Sequence, residues 1–138
     1  MTRIYPQFVV AKFGGTSVAD FDAMNRSASI VLADDHVRLV VLSASAGVTN
    51  LLVELSEGLE SGDRMDKLDT LRTIQYNIIS RLKNASVIGK EIDQLLENIA
   101  RLAETAQAAP SAALSDELVS HGELMSSLLF AEVLRERE

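Results

Sequence analysis

The stretch FVVAKFGGTS, residues 8–17, decides the fold. Its continuous apolar start, followed by two glycines, is typical of a strand and predicts burial on both faces. A helical apolar pattern begins after Asp20, which can cap the helix, and continues to Ala33. A second apolar strand, residues 37–42, ends in the small polar stretch SASAG, residues 43–47. Strand, helix and strand joined by short links form a parallel, right-handed βαβ unit.

Beyond the second strand the apolar residues recur at helical spacing. A first helix is predicted from about Thr49 to Leu59, with a turn over residues 57–63. Two longer apolar stripes follow, and a polar turn over residues 83–86 joins them into an antiparallel hairpin. The stripe residues, expected to face the core, are Leu68, Leu71, Ile74, Ile78, Ile79 and Leu82, and then Ile88, Ile92, Leu95, Leu96, Ile99 and Leu102.

The end of the chain predicts a loop and one more helix. Pro110 interrupts the pattern over residues 108–113, and Ser115 then opens a helix that reaches Arg135. The fold class is therefore α/β and helix-rich: a parallel βαβ start, a long helical hairpin and a final helix. Two parallel strands leave two unpaired edges, so residues 1–138 are expected to form a single incomplete domain. The missing strands are expected either from a longer polypeptide, of which this sequence is the N-terminal part, or from a second polypeptide chain.

Composition excludes several classes of function. Among 138 residues, 13 basic and 20 acidic side chains give a net charge of −7, which argues against nucleic-acid partners. The chain has no cysteine, which removes disulfides and thiol chemistry. Two histidines, His36 and His121, do not make a metal site, and none is expected. Residues 1–7 lack the order of a signal peptide and no run is long enough to cross a membrane, so a cytoplasmic protein is expected.

The first candidate site follows the first strand. Lys12 at the end of a buried strand would be costly without an anion to meet it. Gly14 and Gly15 open the backbone N–H groups to a ligand, Thr16 and Ser17 add hydroxyl donors, and the next helix presents its positive end. Together these features indicate a phosphate site. The alternative is an edge-strand lysine before an ordinary glycine turn.

The second candidate segment, SASAGVTN, follows the second strand. Ser43, Ser45 and Thr49 offer hydroxyls, and Gly47 lets a ligand approach the backbone. Because ligands bind at the carboxyl ends of the strands in open parallel sheets, this segment and the first are expected at one edge. The alternative is a serine-rich start to the next helix, with Thr49 or Ser45 as its N-cap.

The third candidate segment is SHGELMS, residues 120–126, on the final helix. Gly122 inside a helix costs about 1 kcal/mol relative to alanine, which indicates close packing or a nearby ligand. Glu123 could bind an ammonium group, or it is simply a surface acid. For His121 the simpler interpretation is a solvated or capped helix histidine.

The ordered segments KFGGTS, SASAGVTN and SHGELMS resemble the aspartokinases of the amino acid kinase superfamily, particularly the lysine-sensitive bacterial type. The resemblance spans all 138 residues and implies the front part of a carbamate kinase-like catalytic domain, without ACT regulatory domains. It also implies transfer of the ATP γ-phosphate to the side-chain carboxylate of L-aspartate, the first step towards lysine, threonine and methionine. ATP and Mg²⁺ would serve the whole enzyme, but neither is expected to bind tightly to this chain, which should be inactive alone.

The same resemblance implies a role for each motif. Lys12 would be the catalytic residue, balancing charge on the transferred phosphoryl group, and Glu123 would pair with the ammonium group of aspartate. Of the other residues, Ser17 and Ser45 are the weaker candidates. The phosphate- or ATP-binding residues are Lys12, Gly14, Gly15, Thr16 and Ser17, and the substrate-binding residues are Ser43, Ser45, Thr49 and Glu123.

Two other functions stay open at this point. One is a different amino acid kinase, acting on glutamate or carbamate. The other is a non-catalytic interaction module that uses the helical hairpin as its surface. For the kinase, the expected partners are L-aspartate, ATP and a second copy of the chain, because unpaired strands favour self-association; neither a nucleic acid nor a membrane is expected.

Overall fold

A computed structural model describes residues 8–137, so the expectation about a targeting signal in residues 1–7 lies outside the described residues. No helix in this range is long and apolar enough to span a membrane. The elements, in chain order, are β1 (Val9–Phe13), a 3₁₀ turn (Gly15–Val18), α1 (Phe21–Leu32), β2 (Val37–Leu42), α2 (Val48–Ser56), α3 (Ser61–Ile79), α4 (Ala85–Ala108) and α5 (Ala112–Glu136).

The predicted βαβ unit is confirmed. β1 and β2 pair in parallel, with Phe13 opposite Leu42 at their carboxyl ends. Between them, α1 begins after Asp20, whose Oδ1 accepts the N–H of Ala23 at 2.8 Å. That bond satisfies one of the N–H groups that a helix start leaves without an intrahelical partner.

The prediction that β1 is buried on both faces is wrong. Phe13 and Leu42 lie in the core, whereas Val10 and Leu39 on the opposite face are 51% and 52% exposed. Successive side chains of a strand point to opposite faces. Within residues 8–137 the helices pack on one face of the two-stranded sheet only, so every second side chain stays uncovered.

The helical hairpin is confirmed, with a shifted turn. α3 and α4 bury their stripes against the rest of the core, and residues 80–84 connect them rather than residues 83–86. A contact that is distant in sequence explains where α4 begins. The Glu136 carboxylate accepts the backbone N–H of Lys83 at 2.8 and 3.1 Å and that of Asn84 at 3.2 Å, so a side chain of α5 holds the turn immediately before α4.

Two further helix starts differ from their predicted positions. The turn predicted over residues 57–63 is shorter, since α3 already begins at Ser61. α5 begins at Ala112 because the Ser111 hydroxyl accepts the N–H of Leu114 at 3.1 Å, so Ser115 is not its cap. Ser115 lies inside the helix, where its hydroxyl donates to Ser56 Oγ at 3.1 Å.

α5 forms the centre of the core, in contact with all the other α-helices and with β2. Its buried side chains come from almost its whole length, including Leu118, Met125 and Leu129, which are fully inside. Near the sheet, the Phe130 ring packs on Phe13 with centroids 6.0 Å apart. The helix therefore joins the sheet end of the molecule to the hairpin.

Candidate active site

The loops that follow β1 and β2 lie side by side, as their placement at one sheet edge predicts. The backbone N–H of Ser43 donates to the Phe13 carbonyl at 3.0 Å, and that of Ala46 donates to the Gly15 carbonyl at 3.1 Å. These bonds extend the strand pairing by a few residues past the sheet. The first two candidate segments therefore form one mouth.

Lys12 points into that mouth. Its Nζ donates to Ser43 Oγ at 2.8 Å and lies 3.4 Å from the Phe13 carbonyl. The side chain is exposed, on the uncovered face of the sheet, so the premise of a buried lysine is wrong. Its orientation nevertheless matches the predicted site, because the ammonium joins the two loops and keeps access to solvent.

The two glycines serve different purposes. A Cβ on Gly15 would lie 2.9 Å from the Ala44 carbonyl oxygen, so the close approach of the second loop requires a glycine there. A Cβ on Gly14 would meet nothing within 4 Å, and its backbone is in an ordinary extended conformation. Packing of the described chain thus explains Gly15, while the space beside Gly14 is open to a ligand.

The expectation that a helix directs its positive end at the glycines needs correction. The segment after Gly14 is a four-residue 3₁₀ turn, and α1 begins only at Phe21 with its first turn capped by Asp20. Thr16 in this turn is exposed, and Ser17 is half-buried, with its carbonyl accepting the Ser27 hydroxyl at 2.8 Å. The donors available near Lys12 are therefore local amides and hydroxyls rather than the end of a long helix.

The second loop exposes one hydroxyl and hides another. Thr49 is exposed in the first turn of α2, and Ser43 is half-buried beside Lys12. Ser45 is only 2% exposed, and its Oγ finds no hydrogen-bond partner among the described residues. The N-cap predicted at Thr49 or Ser45 is wrong: Gly47, in the left-handed region at φ 86°, precedes the helix without a side-chain cap.

The second loop packs against α5 through Gly122 and Ser126. A Cβ on Gly122 would lie 2.8 Å from Ala44 Cβ and about as close to α2, so close packing accounts for this glycine. One turn later, the Ser126 hydroxyl donates to the Ser43 carbonyl at 2.8 Å and lies 3.2 Å from the Glu123 carbonyl. Sequence reasoning did not single out Ser126, although its spacing of four from Gly122 places both on one helix face.

Glu123 and His121 lie on other faces of the same helix. Glu123 is exposed and lines an open groove of about 460 Å³ between α5 and β2. His121 is 8% exposed, with Nδ1 2.8 Å from the Glu117 carbonyl, so a solvated histidine is the wrong interpretation. The His121 ring lines a separate groove with α4 residues such as Arg101. Glu123, not His121, is therefore the residue that α5 presents beside β2.

Between residues 8 and 137, no three histidine or carboxylate side chains come together as ligands.

The mouth at the ends of β1 and β2 thus combines the Lys12 ammonium, an open backbone at Gly14 and, nearby on α5, the carboxylate of Glu123. Residues 7–138 match the amino acid kinase family, and the chain belongs to that family. Within it, the chain is similar to lysine-sensitive aspartokinase 3 of Escherichia coli, with 69% identity over 132 residues, and to the chloroplastic aspartokinase 3 of Arabidopsis thaliana, with 33% identity over 135 residues. The resemblance to aspartokinases is thus confirmed.

Solved structures support the same relationship. The fold matches E. coli aspartokinase III in complex with aspartate and ADP at a TM-score of 0.94 and 69% identity, over 95% of this chain. It matches the complex of that enzyme with lysine and aspartate at a TM-score of 0.93. The alignment with the E. coli relative includes 96% of this chain but only 29% of that protein's length. The alignment with the Arabidopsis relative includes 91% of this chain and 23% of that protein's length.

Proposed function

We propose that residues 1–138 are the front portion of the catalytic domain of an aspartate kinase. The reaction moves the γ-phosphoryl group of ATP to the side-chain carboxylate of L-aspartate. A carboxylate oxygen bonds to the γ-phosphorus while the bond from phosphorus to the bridging oxygen breaks, and ADP leaves with that oxygen. The product is an aspartyl phosphate, the first intermediate towards lysine, threonine and methionine.

The observation that carries this proposal is the contact between Lys12 Nζ and Ser43 Oγ at 2.8 Å. It places a cation where the two loops meet, beside the open space at Gly14. Phosphoryl transfer depends on positioning and charge neutralisation more than on covalent help from the protein. A lysine that reaches both loops can neutralise charge on the phosphoryl group and on the accepting carboxylate at once.

The remaining residues divide between the two ligands. Backbone donors at Gly14 and Gly15, with the hydroxyls of Thr16 and Ser17, face the phosphate side of the mouth in this proposal. Ser43 and Thr49 hold the aspartate, and Glu123 pairs with its α-ammonium. Ser45 contributes less, because its hydroxyl is buried in the loop. Glu123 and the hydroxyls therefore favour a dicarboxylic acid that also carries an α-ammonium group.

The experiment compares L-aspartate with succinate, which has the same two carboxylates and no ammonium group. Chemical-shift titration of the 138-residue chain should show L-aspartate perturbing the amides of Ser43 and Thr49. Glu123→Gln should weaken L-aspartate binding by roughly tenfold, the cost of losing a charged hydrogen bond, and leave succinate binding unchanged. The matched control Glu117→Gln removes an exposed charge from the same helix and should change neither titration.

Three outcomes would contradict the proposal. Equal losses for aspartate and succinate would remove the ammonium role of Glu123, and shifts confined to α3 and α4 would favour an interaction module. An L-glutamate titration stronger than that of L-aspartate would favour a different amino acid kinase. The same preparation is expected to show no ATP turnover, because it covers only 29% of its E. coli relative.

A further inference from the structure

A second cation-rich site lies at the far end of α5. Arg81 and Lys83 from the α3–α4 turn and Arg137 from the end of α5 line one cavity of about 180 Å³. In a chain with a net charge of −7, three of its 13 basic residues meet there from two segments. We propose that this cavity binds a phosphate group, either inorganic phosphate or the phosphate of a small phosphomonoester.

Contacts with other residues hold the two arginines, Arg137 and Arg81, in place and leave some of their N–H donors free. Arg137 uses Nη1 for its contacts with the Asn25 carbonyl at 2.8 Å, Asn25 Oδ1 at 3.1 Å and Ser29 Oγ at 2.8 Å. A guanidinium has five N–H donors in a fixed fork, so Nη2 and Nε remain for a ligand. The Arg81 guanidinium stacks on the Phe21 ring, 4.6 Å from its centroid, which orients that fork as well.

Negative charge near the cavity is already engaged. Glu136 lines the cavity, but its carboxylate accepts the backbone N–H groups of Lys83 and Asn84. Asp22 pairs with Arg81 at 3.6 Å, and both of these side chains are more than half exposed, so the pair is weak. The Lys83 ammonium makes no hydrogen bond to any residue from 8 to 137. The three cations, less the Glu136 carboxylate in the lining and the Asp22 carboxylate beside Arg81, leave one net positive charge, which favours an anionic ligand such as a phosphate group.

The cavity is distinct from the mouth at Lys12. Glu123 beside that mouth and Arg137 at this cavity are fourteen positions apart along α5, which corresponds to roughly 21 Å of helix. A phosphate bound here therefore touches neither loop of the candidate active site. The two sites can be tested separately in the same chain.

The test titrates the 138-residue protein with sodium phosphate at constant ionic strength and follows backbone amide shifts. Saturable shifts are expected at Arg81, Lys83 and Asn84. Lys83→Gln should weaken this binding by roughly tenfold, the effect of losing one charged hydrogen bond. Lys90→Gln removes an exposed cation outside the cavity and should leave the affinity unchanged. Lys12→Met should leave these shifts intact even if it removes any phosphate effect at Gly14.

A parallel titration with glycerol 3-phosphate separates the two sources of the phosphate group. Tighter binding than for inorganic phosphate assigns the cavity to a phosphomonoester, and tighter binding of inorganic phosphate assigns it to the free ion. The proposal is overturned if sodium chloride reproduces the shifts, or if Lys83→Gln and Lys90→Gln behave alike. Urea unfolding of Lys83→Gln in phosphate-free buffer should match the unchanged protein, which separates lost binding from lost folding.

Discussion

The sheet end of the molecule and the helical hairpin are built on different principles. Between α3 and α4, polar side chains that are near in sequence bond to each other, as where the Tyr76 hydroxyl donates to the Asp93 carboxylate at 2.5 Å, although Glu136 of α5 also bonds to the turn between them. At the sheet end the decisive contacts are remote: Ser126 and Ser43 are 83 positions apart, and half of the sheet surface stays open. The candidate chemistry lies in the region with remote contacts.

The largest effect is expected where α5 meets the second loop. Gly122→Val would force a branched side chain onto Ala44 and Val48, and should lower the unfolding free energy measured in urea by about 2–3 kcal/mol. The hairpin offers the matched control. Gly62 in α3 has no atom within 4 Å of a built Cβ, so Gly62→Ala should be neutral or stabilising by up to about 1 kcal/mol. Similar losses at both positions would contradict the contrast between the two regions.

A smaller effect tests whether the hairpin depends on α5. Burial raises the pKa of Glu136, but donation from the backbone N–H groups of Lys83 and Asn84 outweighs it, so the pKa lies below its usual value of 4.5. A carboxylate with a lowered folded-state pKa stabilises the fold above its unfolded pKa, and that contribution is lost as the pH falls through the folded value.

Glu136→Gln should therefore lower stability at pH 7 by about 1 kcal/mol, in the range of a lost helix cap, and flatten the loss of stability below about pH 4.5. The measurement is urea unfolding at several pH values. Glu104→Gln, an exposed acid on α4, serves as the control. If Glu136→Gln loses as much unfolding free energy below pH 4.5 as the unchanged protein does, the turn between α3 and α4 does not depend on Glu136.

The smallest effect on stability concerns the open face of the sheet. Leu39→Lys replaces a side chain that is 52% exposed and should change the unfolding free energy by no more than about 0.5 kcal/mol. We expect the chain to self-associate through the uncovered apolar face of β1 and β2, and this substitution should shift it towards the monomer in light scattering. A parent protein that is already monomeric at high concentration would contradict this expectation.

Features set by neighbouring residues could be predicted from the sequence. The Asp20 cap, the bounds of β2 at Val37–Leu42 and the position of Lys12 between two loops all follow from local pattern and strand direction. The beginning of α5 could not be chosen, because Ser111 and Ser115 are both good caps and only the packing of Ser115 on Ser56 decides between them.

Features set by residues distant in sequence could not be predicted. An apolar run does not tell how many layers cover a strand, so the exposure of Val10 was missed. Nor does a serine in a helix indicate that its hydroxyl bonds to a loop elsewhere, as Ser126 does with Ser43. Both cases concern what lies next to a residue in space, which periodicity along one element does not contain.

The arrangement on α5 also limits how the mouth could change. Gly122, Glu123 and Ser126 lie within five consecutive positions of α5. The helical rise of about 1.5 Å per residue therefore sets the distance along the axis between Glu123 and the two residues that contact the second loop. Sliding α5 by one position would turn a different side chain, about 100° around the axis, onto Ala44. A mouth that binds a longer or shorter substrate therefore requires a different side chain at position 123 or a different loop length. A gradual shift of α5 along its axis would disrupt its packing on Ala44.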